Sequence, residues 1–371
     1  MIKRIFLYII LLFVINISGF SQTESKFRQN KSISVSYHYG WLLPEYSFNT
    51  LQAIEPIHGA EISLEKHSSG SNYWQRLYKY PVTGISLFYS GLSNPEIYGK
   101  QGTIYGYTGS SFMQNNKINI FWKLGLGFTY TSEKFDFHKN RLNVAIGSNY
   151  NVYFRAAMGW QTHISNSFVF KQSLDFSHIS NINMNEPNIG LNWLTFNNTI
   201  LFLPKGKPLF DNPEIPEHQK RLEHQFFLSG GLKHTKTFEP YQYITGSFSY
   251  NLSYKPSHII GLGIGADFFY DSSVKNVMKD KEYDYLQKYS WHTGIHAELK
   301  LTYNRLSLGL QQGVYLGLKE TINNNIVYNR SFMQWKLNDN VLLMLALKSH
   351  IHILDHVQIG VGYTLNQKLK K

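Results

Sequence analysis

The chain has 371 residues, 16% of them aromatic and 16% charged, and its 36 Lys and Arg against 24 Asp and Glu give a formal net charge of +12. It contains no cysteine, which excludes disulfides, zinc–thiolate sites and cysteine nucleophiles. Low charge with abundant aromatics suits a membrane barrel with aromatic girdles; the positive excess favours anionic partners such as phosphorylated headgroups, and no compact basic motif points to nucleic acid.

Residues 1–21 read as a secretory leader: Lys3 and Arg4, an apolar run from Ile5 to Ile15, then Gly19-Phe20-Ser21 before Gln22. No later stretch holds the ~18 apolar residues that a transmembrane helix requires, so a membrane-spanning mature chain has to cross with strands. Period-two alternation then recurs, near 32–40, 58–66, 82–91, 102–112, 117–131, 150–163, 167–180 and 190–203, and again near 222–237, 243–256, 258–272, 290–303, 305–318, 326–337, 340–350 and 354–365. In one segment Ile118, Ile120, Trp122, Leu124, Leu126, Phe128 and Tyr130 oppose Asn119, Lys123, Gly125, Gly127 and Thr129. In others Ile260, Leu262, Ile264 and Phe268 oppose Gly261, Gly263 and Asp267, and Leu308, Leu310, Val314 and Leu316 oppose Ser307, Gly309 and Gln311.

A soluble sandwich turns such an apolar face inward, whereas a transmembrane barrel turns it outward around a polar lumen. Strand length and the leader favour the second. The expectation is an all-β, antiparallel transmembrane β-barrel over 22–371, of about 14 strands with 12 to 16 allowed. Residues 41–55 and 273–288 read as loops. So does 204–221, which carries Pro204, Pro208, Pro213 and Pro216 and could separate two units.

Within this pattern, one strand ends Phe176-Ser177-His178-Ile179-Ser180-Asn181, and Pro187-Asn188-Ile189-Gly190-Leu191-Asn192 follows. Residues two apart on a strand share a face, so His178 and Ser180 can meet over one bond. They lie in phase with Phe168, Phe170, Leu174 and Phe176, opposite Lys171, Ser173, Asp175 and Ser177, which puts a base and a hydroxyl on the apolar face. Asn192 is in phase with Leu194, Phe196, Ile200 and Phe202. The opposite phase, Leu191, Trp193, Leu201 and Leu203, is nearly as apolar and leaves the facing of Asn192 open.

His178-Ile-Ser180-Asn181 with Asn188-Ile-Gly190-Leu-Asn192 resembles the lipid A 3-O-deacylase (PagL-like) and acyloxyacyl hydrolase group of outer-membrane barrels. Asn143-Val-Ala-Ile-Gly-Ser148 looks like a second segment of that group; Trp74 to Gly84, with Tyr78-x-Tyr80-Pro81-x-x-Gly84, and Leu347-Lys-Ser-His350 look like features of its longer members. The core of the resemblance covers about 80–205, with weaker echoes over most of the mature chain. It implies hydrolysis of an acyl ester on lipid A or lipopolysaccharide in a Gram-negative outer membrane; no cofactor is assigned. Ser180 would be the nucleophile and His178 the base, with Asn181 and Asn188 building or bracing the oxyanion site. The group's carboxylate falls at Asn192. An amide brings no charge to an imidazolium, yet its oxygen can orient the ring as in Cys-His-Asn proteases; Glu186 in the intervening turn is an alternative carboxylate. The other reading is a catalytically inactive barrel that binds lipid or forms a pore.

His350, His352 and His356 lie in phase, as do His292, His296 and Glu298, with spacings a metal could use. Val341, Leu343, Leu345 and Leu347 face the other way, so these histidines fit a polar lumen lining, and no metal is assigned. The chain has no Gly-x-Ser-x-Gly elbow, His-Glu-x-x-His motif or phosphate loop, which excludes the common soluble hydrolases and nucleotide enzymes.

Overall fold

The computed structural model describes residues 30–43, 52–114, 118–181, 185–235, 241–317, 326–350 and 353–368; the leader at 1–21 and His352 lie outside the described residues. Each of the sixteen alternating stretches is a strand. The first eight are β1 (Lys31–Leu43), β2 (Ile57–His67), β3 (Val82–Gly91), β4 (Lys100–Gln114), β5 (Asn119–Thr131), β6 (Tyr150–His163), β7 (Phe168–Ser180) and β8 (Leu191–Phe202). The second eight are β9 (Arg221–Lys233), β10 (Tyr243–Lys255), β11 (Ile260–Asp271), β12 (Trp291–Tyr303), β13 (Leu306–Leu316), β14 (Val327–Lys336), β15 (Val341–His350) and β16 (Ile353–Lys368). A short helix α1 (Tyr73–Leu77) lies between β2 and β3, and α2 (Val274–Asp280) occupies the stretch after β11 that the sequence presents as plain loop.

The strand number falls within the expected range, but the closure differs from a single barrel over 22–371. The strands form two closed antiparallel barrels, β1 to β8 and β9 to β16. Pairing decides this. β8 returns to β1 in register from Leu43↔Asn192 to Ile33↔Phe202, and β16 returns to β9 from Val357↔Leu232 to Lys368↔Arg221. Each sheet consumes its own edges, which leaves no row of unpaired backbone groups to join the other. The Pro-rich stretch at 204–220 is the linker between them.

The alternation orients as a membrane barrel requires. Leu126, Phe128 and Tyr130 are exposed while Thr129 is buried; Leu262, Ile264 and Phe268 are exposed while Asp267 is buried. An eight-stranded barrel is just wide enough for its own side chains, and both lumens are packed with charge pairs. In the first, Arg155 is fully buried and binds Glu61, Asp175 and the Tyr105 hydroxyl, while Lys123 reaches Glu61 at 3.3 Å and Lys171 reaches Glu65 at 3.1 Å. In the second, buried Arg330 takes Asp267 at 3.1 Å, His296 Nδ1 meets the same carboxylate at 2.6 Å, and Lys300 lies 3.2 Å from Glu298. Width and this filling argue against an aqueous pore through either barrel.

The barrels touch at the linker end. Tyr78, just past α1, donates to the carbonyl of Thr302 and packs its ring 4.6 Å from that of Tyr303; Thr108 Oγ1 donates to the Tyr303 hydroxyl at 3.2 Å. Arg76 ties the linker down through the Pro213 carbonyl at 2.8 Å.

Candidate active site

β7 and β8 run antiparallel with His178 directly opposite Asn192. Along β7, Val169, Ser173, Asp175, Ser177 and Ile179 are buried, whereas His178 and Ser180 are half-buried on the outward face that also carries exposed Phe168 and Leu174. Asn192 shares that face with exposed Phe196, Ile200 and Phe202, so the facing left open by the sequence is outward. Its apolar opposite phase has a physical reason. Leu191 and Trp193 turn inward to a buried cluster with Ile179, Ala145 and Ile146 that closes this end of the lumen.

Across the strand pair, His178 Nδ1 lies 2.7 Å from Asn192 Oδ1. An amide oxygen can only accept, so Nδ1–H donates to it and the lone pair is left on Nε2. Pairing sets Ser180 against Val152 of β6, two residues along the same face. Asn192, and not Glu186, is therefore the partner of Nδ1. Glu186 stands in the 185–190 turn beside a cis bond to Pro187.

The turn is braced by the two asparagines of the motif. Asn188 Oδ1 accepts the Asn181 backbone N–H at 2.9 Å, and the fully buried Asn181 side chain donates to the Asn185 carbonyl at 2.8 Å and accepts its N–H at 3.3 Å. Gly190 was present in the motif without a role, and the structure supplies one. At φ +84 its N–H donates to the Ala145 carbonyl at 2.9 Å, and a Cβ built on it would stand 2.7 Å from His178 Cε1. The imidazole lies flush against a backbone that only glycine leaves bare.

The 143–148 segment is the wall behind this turn. Asn143 donates to the Ile97 carbonyl at 2.8 Å and accepts from Ile146 N–H at 3.2 Å, and a Cβ on Gly147 would meet the Pro187 carbonyl at 2.6 Å. Elsewhere, His292 and His356 line a cavity at the mouth of the second barrel with His350, while His296 and Glu298 are buried in its lumen, as a polar lining requires. Among the described residues no group of His, Cys, Asp and Glu is arranged to hold a metal ion.

Two family models match the chain: "Lipid A 3-O-deacylase (PagL)" over residues 58–199 and "Acyloxyacyl hydrolase, C-terminal domain" over residues 222–367. No curated protein matches it. Solved structures similar to it include the outer-membrane enzyme PagL, at 16% identity and TM-score 0.31, over 45% of this chain and 97% of that one. Neisserial surface protein A is similar at 6% identity and TM-score 0.31, over 47% of this chain and 97% of its own. A Rhodopseudomonas blastica porin mutant aligns at 7% identity and TM-score 0.18, over 90% and 100%. One family model falls on each barrel, and the His178 to Asn192 motif lies in the first, so the chain belongs to the lipid A 3-O-deacylase and acyloxyacyl hydrolase family of outer-membrane β-barrels.

Proposed function

We propose that this protein is an outer-membrane esterase that removes an ester-linked acyl chain from lipid A, with Ser180 as nucleophile, His178 as general base and Asn192 as the residue that orients the imidazole. The observation that carries the reading is the 2.7 Å bond from His178 to Asn192 on the outward, apolar face beside Ser180. A serine hydroxyl is a weak nucleophile until a neighbouring base takes its proton. With Nδ1–H given to Asn192, Nε2 is the atom that takes it.

Ser180 Oγ attacks the ester carbonyl as its proton passes to His178 Nε2. The tetrahedral intermediate collapses with return of that proton to the leaving sugar oxygen, and water activated by the same nitrogen then releases the fatty acid. The outward position suits this substrate: the scissile ester lies at the membrane surface with its acyl chain along the barrel wall, near Leu174 and Phe196. Asn192 lacks the charge of a carboxylate, and that favours a second reading, a barrel that holds lipid without cleaving it.

Reaction of the folded protein in detergent with a lipophilic fluorophosphonate separates the two. The esterase reading expects a single adduct on the peptide carrying Ser180, absent in His178→Ala. A protein inert to the reagent under conditions where a known serine esterase reacts sinks the esterase reading and leaves the lipid-holding barrel.

A further inference from the structure

The mouth of the second barrel, at the end away from the linker, contains a cavity where β9, β11 and β15 end and β12 and β16 begin. Its charges cancel in pairs. Lys233 meets Asp271 at 2.7 Å and Asp355 at 3.1 Å, and Lys348 meets Asp355 at 3.1 Å. What remains is a set of polar atoms with no partner among the described residues: His356 Nε2, His292 Nδ1, Gln358 Oε1 and Thr245 Oγ1. Gln358, Thr245 and His356 are each more than nine-tenths buried, so these atoms lack bulk water as well.

Their chemistry narrows the ligand. His356 Nδ1 lies 3.1 Å from the Asp355 carboxylate and donates to it, so the Nε2 of a neutral ring is an acceptor. Gln358 Oε1 can only accept, and the Thr245 hydroxyl does both. Two of these groups therefore require donors from the ligand. A phosphate or carboxylate supplies acceptors and finds both lysines already neutralised. A cation would face those same lysines. A polyol offers donors and acceptors together and adds no charge, and the rings of Phe269 and Tyr315 on the cavity wall give its C–H faces an apolar surface. We infer that this cavity is a binding site for a saccharide, held through hydroxyl groups by His356, Gln358 and Thr245. A linker that stays on one side of the membrane places the cavity on the same side as Ser180, so a glycolipid headgroup and a free sugar both have access to it.

The test is calorimetric titration of the full-length protein, folded in detergent, with three probes: the fully deacylated oligosaccharide of lipopolysaccharide, a neutral disaccharide such as lactose, and inorganic phosphate. None carries an acyl ester, so the outcome is separate from that of the esterase reading. Saturable binding of the oligosaccharide alone supports the site with a glycolipid headgroup as its source; binding of lactose as well supports it with free saccharide as the source. Thr245→Val and Gln358→Leu, each with heat-modifiable electrophoretic mobility as the folding check, are expected to weaken binding about tenfold, the loss of roughly one hydrogen bond. Phosphate as the only probe bound, no saturation by either sugar up to ~10 mM, or unchanged affinity in folded variants overturns the inference. If a variant does not fold, the wild-type titrations still decide between sugar and phosphate.

Discussion

The imidazole of His178 rests against the bare α-carbon of Gly190, with 2.7 Å between Cε1 and the place a methyl group would occupy. The contact crosses from β7 to the start of β8, so a motif glycine ten residues from Ser180 seats the ring of His178. Gly190→Ala is expected to lower esterase activity about a hundredfold by displacing the ring. Left-handed backbone at φ +84 adds roughly 1–2 kcal/mol of strain. Rate measurements on lipid A micelles, beside electrophoretic mobility of the folded barrel, check this; full activity in the folded variant contradicts the seating role.

Asn192 gives His178 Nδ1 an acceptor that carries no charge. In a serine triad, loss of the carboxylate can cost about ten-thousandfold, so Asn192→Asp is expected to raise kcat by about tenfold or more. The negative charge favours the imidazolium, and for a base that must be neutral to act, the acid limb of the pH–rate profile moves to higher pH. Asn192→Leu removes the acceptor and is expected to lower kcat by about a hundredfold with little change in KM. A pH–rate series on the three proteins makes the comparison.

Arg155 binds two carboxylates, Glu61 and Asp175, inside the first lumen. Arg155→Leu leaves both buried without that partner, and breaking a buried pair in this way costs about 3–5 kcal/mol. Urea unfolding in micelles should show a lower midpoint. Glu61→Gln with Asp175→Asn in the same chain should restore part of the loss, since neither carboxylate is then left charged, and only part, because Lys123 loses Glu61.

Because each barrel closes on itself, cutting the linker should leave both intact. Trypsin acting at Lys205, Lys207 or Lys220 is expected to yield two fragments, each still heat-modifiable in electrophoresis. The contacts of Tyr78 with Thr302 and Tyr303 join them at the surface without strand pairing. Fragments that lose their mobility shift on cleavage would show that the closures depend on one another.

All sixteen strands were legible because a half-lipid, half-lumen surface writes period two into the residues. Closure was not. Alternation states which face a residue takes but not which strand it meets, and the return of β8 to β1 is a matter of backbone pairing. The one local sign was the run of prolines from Pro204 to Pro216. Asn192 shows the same limit at the site: Leu191 and Trp193 blur the pattern because the lumen ends in an apolar plug beneath the loops. The pair His178 and Ser180 was visible from spacing, whereas the role of Gly190 needed the neighbouring strand. Tyr78 and His350, in segments that resemble the longer relatives, lie at the junction of the barrels and at the cavity of the second barrel, places that a one-barrel reading does not contain.

The central claim rests on Ser180, and the most direct measurement is the mass spectrum of lipid A from Gram-negative cells that express the wild-type protein or Ser180→Ala at equal levels in the outer membrane. The expected result is a new lipid A species lighter by one ester-linked acyl chain with the wild type, and none with Ser180→Ala. An unchanged spectrum with well-assembled wild type, or the same lighter species with Ser180→Ala, would contradict it.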